Sequence, residues 1–142
     1  MPETTPSDIA LRRATGVFAV ALLVHGADHM RRGMEVTSAL VNALGALQLL
    51  AALLVVYLVF RRNPSAPLAA AVVGYASAAG FFVVHLLPDW FGPLSDSFIA
   101  APPQAKVTGF SWFAALFEIV ADLALALAAT RVLRERSARV IA

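Results

Sequence analysis

Residues 36–62 read VTSALVNALGALQLLAALLVVYLVFRR. From Val36 to Phe60 there is no charged side chain, and two arginines then end the run. A helix rises 1.5 Å per residue, so about 20 apolar residues cross the roughly 30 Å hydrocarbon core of a bilayer. The stretch is long enough for that. Its apolar residues do not alternate as barrel strands do. A helix is then the one element that satisfies its own backbone hydrogen bonds in lipid.

Three further segments on either side of this one repeat the pattern. The expected spans are 12–32, 36–60, 66–87 and 107–131. The first run is read as a retained span rather than a cleaved signal, since no small-residue cleavage site follows it cleanly. Ser7 or Asp8 is placed to cap it, after a polar amino-terminal tail. The whole chain agrees with this class. Of its 142 residues 60% are hydrophobic and 14% charged, where soluble domains are near half and a quarter. Mean hydropathy is +0.77.

The balance of +2 does not point to nucleic acid, because the basic residues sit at span ends. Ten of the eleven are Arg and one, Lys106, is Lys; with so much alanine, this composition points to a GC-rich bacterial genome. The chain has no Cys, which excludes disulfides, thiolate metal sites and thiol redox chemistry.

Arg and Lys near span ends set orientation. Arg12, Arg13, Arg61, Arg62, Arg131, Arg134, Arg136 and Arg139 mark one side; Arg31, Arg32 and Lys106 mark the other. The expected fold is an all-α integral membrane four-helix bundle, up-down-up-down, with both termini cytoplasmic. It is one domain, multi-pass in a bacterial plasma (inner) membrane. Residues 88–106 form an outer interfacial loop, with Trp90, Phe91, Phe98 and Ile99 suited to the interface and Ser95 or Asp96 able to cap a short helix. Residues 131–142 form a basic cytoplasmic tail that continues the last helix and can touch anionic headgroups. Small residues at helical spacing (Gly74 and Ala78; Ala114, Ala121 and Ala128) allow close helix approach.

Polar side chains inside the spans carry the functional signal, because each is costly in hydrocarbon and normally faces a partner or cavity. These are His25, Asp28, His29, Asn42, Gln48, His85, Glu118 and Asp122, with Asp89 just past the third span. Counting rise per residue puts Asp28, His29, Asn42 and His85 in one layer roughly 9 to 11 Å outward of the membrane centre. His25 is about 6 Å deeper, Glu118 is central, and Asp122 is about 6 Å below it. His25, Asp28, His29 and Arg32 share one face of the first helix. Gln48 and Asn42 read as polar contacts that hold helices together.

Two His at i and i+4 can ligate one ion, and a third from another helix leaves a fourth position for water or substrate. The expected ligands of a divalent transition metal are His25, His29 and His85. Without sulfur ligands zinc is favoured. Glu118 is the candidate catalytic base or further ligand. Asp28, Asp89 and Asp122 are candidates for orienting imidazoles or handling protons. An HxxxH pair, one distant His and intramembrane acids together resemble the inventory of the three-His zinc hydrolases of membranes, such as ceramidase-like proteins. Those bundles have more helices, and their other motifs do not align with this chain. An open zinc site with a nearby carboxylate can activate water for hydrolysis.

Other readings fit the same residues. Haem b could be held by His25 or His29 with His85, its propionates near Arg31 and Arg32. Glu118 and Asp122 beneath the histidines could handle protons. The polar set could simply hold helices in register. A chain this short also fits a homo-oligomer or an accessory subunit of a larger membrane complex.

Overall fold

The computed structural model describes residues 5–141, and the side chains of residues 5–139. Residues 1–4 and the last of the tail lie outside the described residues. Four long helices make up the chain: α1 Pro6–Arg32, α2 Ala39–Phe60, α3 Ala66–Phe81 and α4 Gly109–Ile141. A π-helical turn, Phe82–Leu86, continues α3. Among the described residues there is no strand, and α1, α2, α3 together with its π turn, and α4 are each long and apolar enough to cross a membrane.

The helix starts follow local chemistry. Thr5, rather than Ser7 or Asp8, caps α1: its hydroxyl accepts from the Asp8 amide, and the Asp8 carboxylate accepts from the Thr5 amide. Asp8 is thus the far half of a capping box. Pro6 occupies the first turn, where the missing N–H is harmless. Gly33, at φ 93°, ends α1 in a conformation that favours glycine. The chain then makes a short 3-10 turn, Met34–Val36, so Val36 lies before α2 rather than in it. Ser38 caps α2 by accepting from the Val41 amide.

α1 and α4 run antiparallel. The Ser7 hydroxyl donates to Glu135 at one end, and the Ser111 hydroxyl donates to Asp28 at the other. α3 presses close to α4 where a Cβ on Gly74 would lie 2.7 Å from the Asp122 carbonyl oxygen. Small residues pack helices closely in this way; Ala126 also meets Gly74, and Ala78, Ala114, Ala121 and Ala128 are buried.

The buried face of α1 reads Leu11, Thr15, Phe18, Ala21, His25, Asp28 and Arg32. Its first half joins an apolar core with Val55, Val59, Ala70, Leu125 and Val132. Its second half is polar and meets Ser111 of α4 and His85 of the π turn, both buried; Glu118 of α4 is buried as well. The interior is therefore apolar at one end and polar at the other. α2 is the peripheral helix. It buries Val41, Ala52, Val55 and Val59, while Leu44, Leu47, Leu50 and Leu54 are exposed. An exposed apolar row of that kind marks a membrane or partner surface.

Candidate metal centre

His25 and His29 stand one turn apart on α1, so their rings point the same way. Their Nε2 atoms are 3.1 Å apart. His85 enters from the π turn, with its ring centroid 5.0 Å from that of His25 and 5.7 Å from that of His29. One nitrogen from each of the three rings lies within 4.8 Å of the other two. Two nitrogens bound tetrahedrally to one zinc at 2.0–2.1 Å are about 3.3 to 3.4 Å apart. The three imidazoles can therefore hold a transition metal ion with small side-chain adjustment. His25 and His85 are buried, and His29 is partly exposed.

The π turn widens the helix by one residue, a device common at functional sites. It leaves helix carbonyls without intrahelical partners, and the returning loop supplies them. The Asp96 amide donates to Val84 O at 3.0 Å, and the Phe98 amide donates to His85 O at 2.9 Å. The loop is thus stitched to the backbone that presents His85. The Ser38 hydroxyl also donates to the Pro93 carbonyl, tying the loop to the start of α2.

Asp96 completes this arrangement. Nδ1 of His85 faces the Asp96 carbonyl oxygen at 3.1 Å and its Oδ2 at 3.4 Å. Arg32 donates to both carboxylate oxygens, at 2.7 and 2.6 Å. Arg32 is fully buried, with its guanidinium 5.2 Å over the Phe98 ring. Burial alone would raise the Asp96 carboxyl; hydrogen bonds from His85 and Arg32 outweigh it and hold the group at about 2. Asp96 is therefore a fixed negative charge behind His85. Such a carboxylate sets the tautomer of a ligating imidazole and leaves Nε2 free for the ion.

Ser95 and Asp96, expected to cap a short loop helix, lie where residues 95–98 form no helix, and Asp96 instead turns to His85 and Arg32. Phe98, expected at the interface, is buried against His85, with ring centroids 4.7 Å apart. Trp90, Phe91 and Ile99 are exposed. The available signal was Arg32, which shares a helix face with the histidines and therefore needs a buried counter-charge. Nothing in the sequence distinguishes Asp96 from Asp89 as that counter-charge.

The other acids are placed as follows. Asp89 is exposed on the loop. Asp28 is buried but turns toward α4, accepting from Arg31 at 2.8 Å and from Ser111 at 3.1 Å. Glu118 and Asp122 are fully buried. Starting from the Asp28–Ser111 contact, helix rise places Glu118 about 6 Å beneath His25, and Asp122 about 6 Å further. All four of their carboxyl oxygens, with Nδ1 of His25 and of His29, are buried without a hydrogen-bond partner among the described residues. Unsatisfied buried groups are costly, so six along this polar stretch of the interior call for an explanation. Gln48 reaches Ser77 at 3.4 Å, and Asn42 accepts from Thr37 at 2.6 Å.

Comparison of the chain with protein-family models, curated proteins and solved structures finds no match.

Proposed function

We propose that this chain is a bacterial inner-membrane protein that holds one zinc ion between His25, His29 and His85. The observation that carries the reading is the convergence of three imidazole nitrogens within 4.8 Å, with Asp96 behind one of them. Three protein ligands are the number of catalytic zinc sites; structural sites use four. An ion held there would leave a fourth position for water or substrate, and would supply the acidity that makes a bound water nucleophilic near neutral pH. Hydrolysis is the chemistry this arrangement favours, with metal handling the second use of an open site. Glu118 is not part of the converging group of ligand atoms. As catalytic base it acts through an intervening water, which a general base allows. The unpartnered oxygens of Glu118 and Asp122 and the unpartnered Nδ1 atoms support a hydrated polar interior here, which the proton-handling reading shares.

Ring packing favours a single ion over haem b. Centroids 4.9 to 5.7 Å apart put the three rings against one another, and a macrocycle between axial ligands needs an open slot. The proposed topology is up-down-up-down with both termini cytoplasmic, and the histidine end then opens outward. The exposed leucines of α2 meet acyl chains or the helices of a second copy or partner subunit.

Elemental analysis with a visible absorption spectrum of the purified protein tests the reading. Stoichiometric zinc that is lost in His85→Ala supports it. A Soret band, or protein that binds no metal when zinc is supplied, overturns it.

A further inference from the structure

The end of the bundle opposite the histidines holds a cleft of about 530 Å³, walled by the start of α1, the α2–α3 turn and the last turns of α4. The geometry points to a phosphate site in this cleft, filled by the headgroup of an anionic phospholipid.

Four arginines line the cleft, Arg12, Arg62, Arg136 and Arg139, against two acids, Asp8 and Glu135. Both acids are already engaged. Asp8 closes the cap on Thr5 and lies 3.8 Å from Arg136. Glu135 accepts from the Ser7 hydroxyl at 2.6 Å. Arg136 is also committed, donating to the Pro64 carbonyl at 3.0 Å. Among the described residues no ion pair engages Arg12, Arg62 or Arg139. Arg62 takes a left-handed backbone, φ 55°, which a side chain other than glycine rarely adopts. The first turn of α3 adds weakly to the positive field. Ala66 and Pro67 line the cleft, but Asn63 takes up the first amides, its side chain accepting from Ser65 and its carbonyl from Ala66. The arginines therefore supply the anion site.

The surface beside the cleft identifies the carrier of the phosphate. The floor residues Leu11, Val59 and Val132 are already packed in the apolar core. Phe60, whose ring lies 5.6 Å under the Arg12 guanidinium, and Tyr57 are exposed. A glycerophospholipid puts its phosphate among the arginines and its acyl chains along these exposed apolar side chains. The cleft also lies at the right depth, since Arg12 and Arg62 flank the ends of apolar runs. Basic pockets between helix ends recognise anionic headgroups in this way.

Native mass spectrometry of the delipidated full chain in neutral detergent tests the site, with phosphatidylglycerol, phosphatidylcholine and glycerol 3-phosphate as probes. One phosphatidylglycerol should bind per chain, at least tenfold more tightly than phosphatidylcholine. Arg12→Gln with Arg139→Gln should weaken it more than tenfold, at roughly fivefold per charge. Arg13→Gln with Arg134→Gln removes the same charge from the same end but outside the cleft, and should change binding less than twofold. Circular dichroism checks that both double variants fold. Equal losses from the two pairs, or equal binding of the two lipids, would overturn the site. Competition by glycerol 3-phosphate at matching concentration would overturn the lipid as the carrier.

Discussion

Nδ1 of His85 faces two acceptors of a single residue, the carbonyl oxygen and the carboxylate of Asp96, at 3.1 and 3.4 Å. That contact fixes one imidazole of the cluster from a loop 11 residues further along the chain. The same carboxylate is held by Arg32, which grows from the helix that carries the other two imidazoles. The Arg32–Asp96 pair therefore joins both sources of ligands.

Asp96→Asn separates the two jobs of this carboxylate. It should weaken zinc binding about 10- to 100-fold, as loss of an orienting carboxylate does. It should also lower stability by roughly 3 to 5 kcal/mol, because Arg32 stays buried without its counter-charge. Adding Arg32→Met should restore the melting temperature but not the zinc affinity. Competition with a chromophoric chelator and thermal unfolding in detergent read the two effects. If zinc affinity returns with stability, Asp96 does not act on His85.

Removing any one of the three imidazoles should abolish stoichiometric zinc. His25→Ala, His29→Ala and His85→Ala should each keep the helical circular dichroism of the parent, because the apolar core lies at the other end of the bundle. Metal content per chain checks this. Full zinc in His29→Ala would remove that partly exposed ring from the ligand set.

Glu118 and Asp122 are costly as they stand, since no described residue satisfies their oxygens. Glu118→Met, close in shape and apolar, should raise stability by about 1 to 3 kcal/mol and leave zinc stoichiometry unchanged. A gain of that kind marks a residue kept for use rather than for folding. A loss of stability would make Glu118 a polar contact between helices, and the catalytic assignment would fail.

Gly74→Val should separate α3 from α4. Its Cβ would meet the Asp122 carbonyl oxygen at 2.7 Å, and a helix backbone cannot swing aside as a side chain can. Overpacking costs of about 1 to 3 kcal/mol are expected, read as a lower melting temperature. Gly45→Val, where nothing lies within 4 Å of the new Cβ, is the matched control.

The spans were legible because lipid imposes one rule along the whole chain, apolar length between charges. The approach of the three histidines was legible for a related reason. Helix rise converts residue number into depth, and His25, His29 and His85 are all on spans. Asp96 was hidden because a loop has no such ruler. The spacing of residues 87 to 98 does not say whether the chain folds back over the helix end, and two acids on that loop look alike. The start of α1 was hidden for a more local reason. Thr5 and Asp8 form a box in which the sequence shows only polar residues near an apolar run. Arg32 read as a boundary marker by its position, and its burial depended on the same unreadable loop.

The sidedness of the site rests on charge, and the contacts sharpen the case. The end that carries Arg31, Arg32 and Lys106 also carries Asp28 and Asp96, which engage the two arginines, while Lys106 is 3.8 Å from Glu35. The eight arginines at the opposite end outnumber the acids there, and Lys and Arg near span ends stay cytoplasmic. The chain has no cysteine, so one introduced thiol is a unique label. Gln104→Cys lies on the exposed loop beside the histidine end, and Ser137→Cys lies on the exposed last turns of α4. A membrane-impermeant maleimide on intact spheroplasts should label Cys introduced at 104 and not at 137, with both labelled after permeabilisation. The reverse pattern would turn the bundle over. The histidine site would then open to the cytoplasm, and the arginine cleft would face the opposite leaflet.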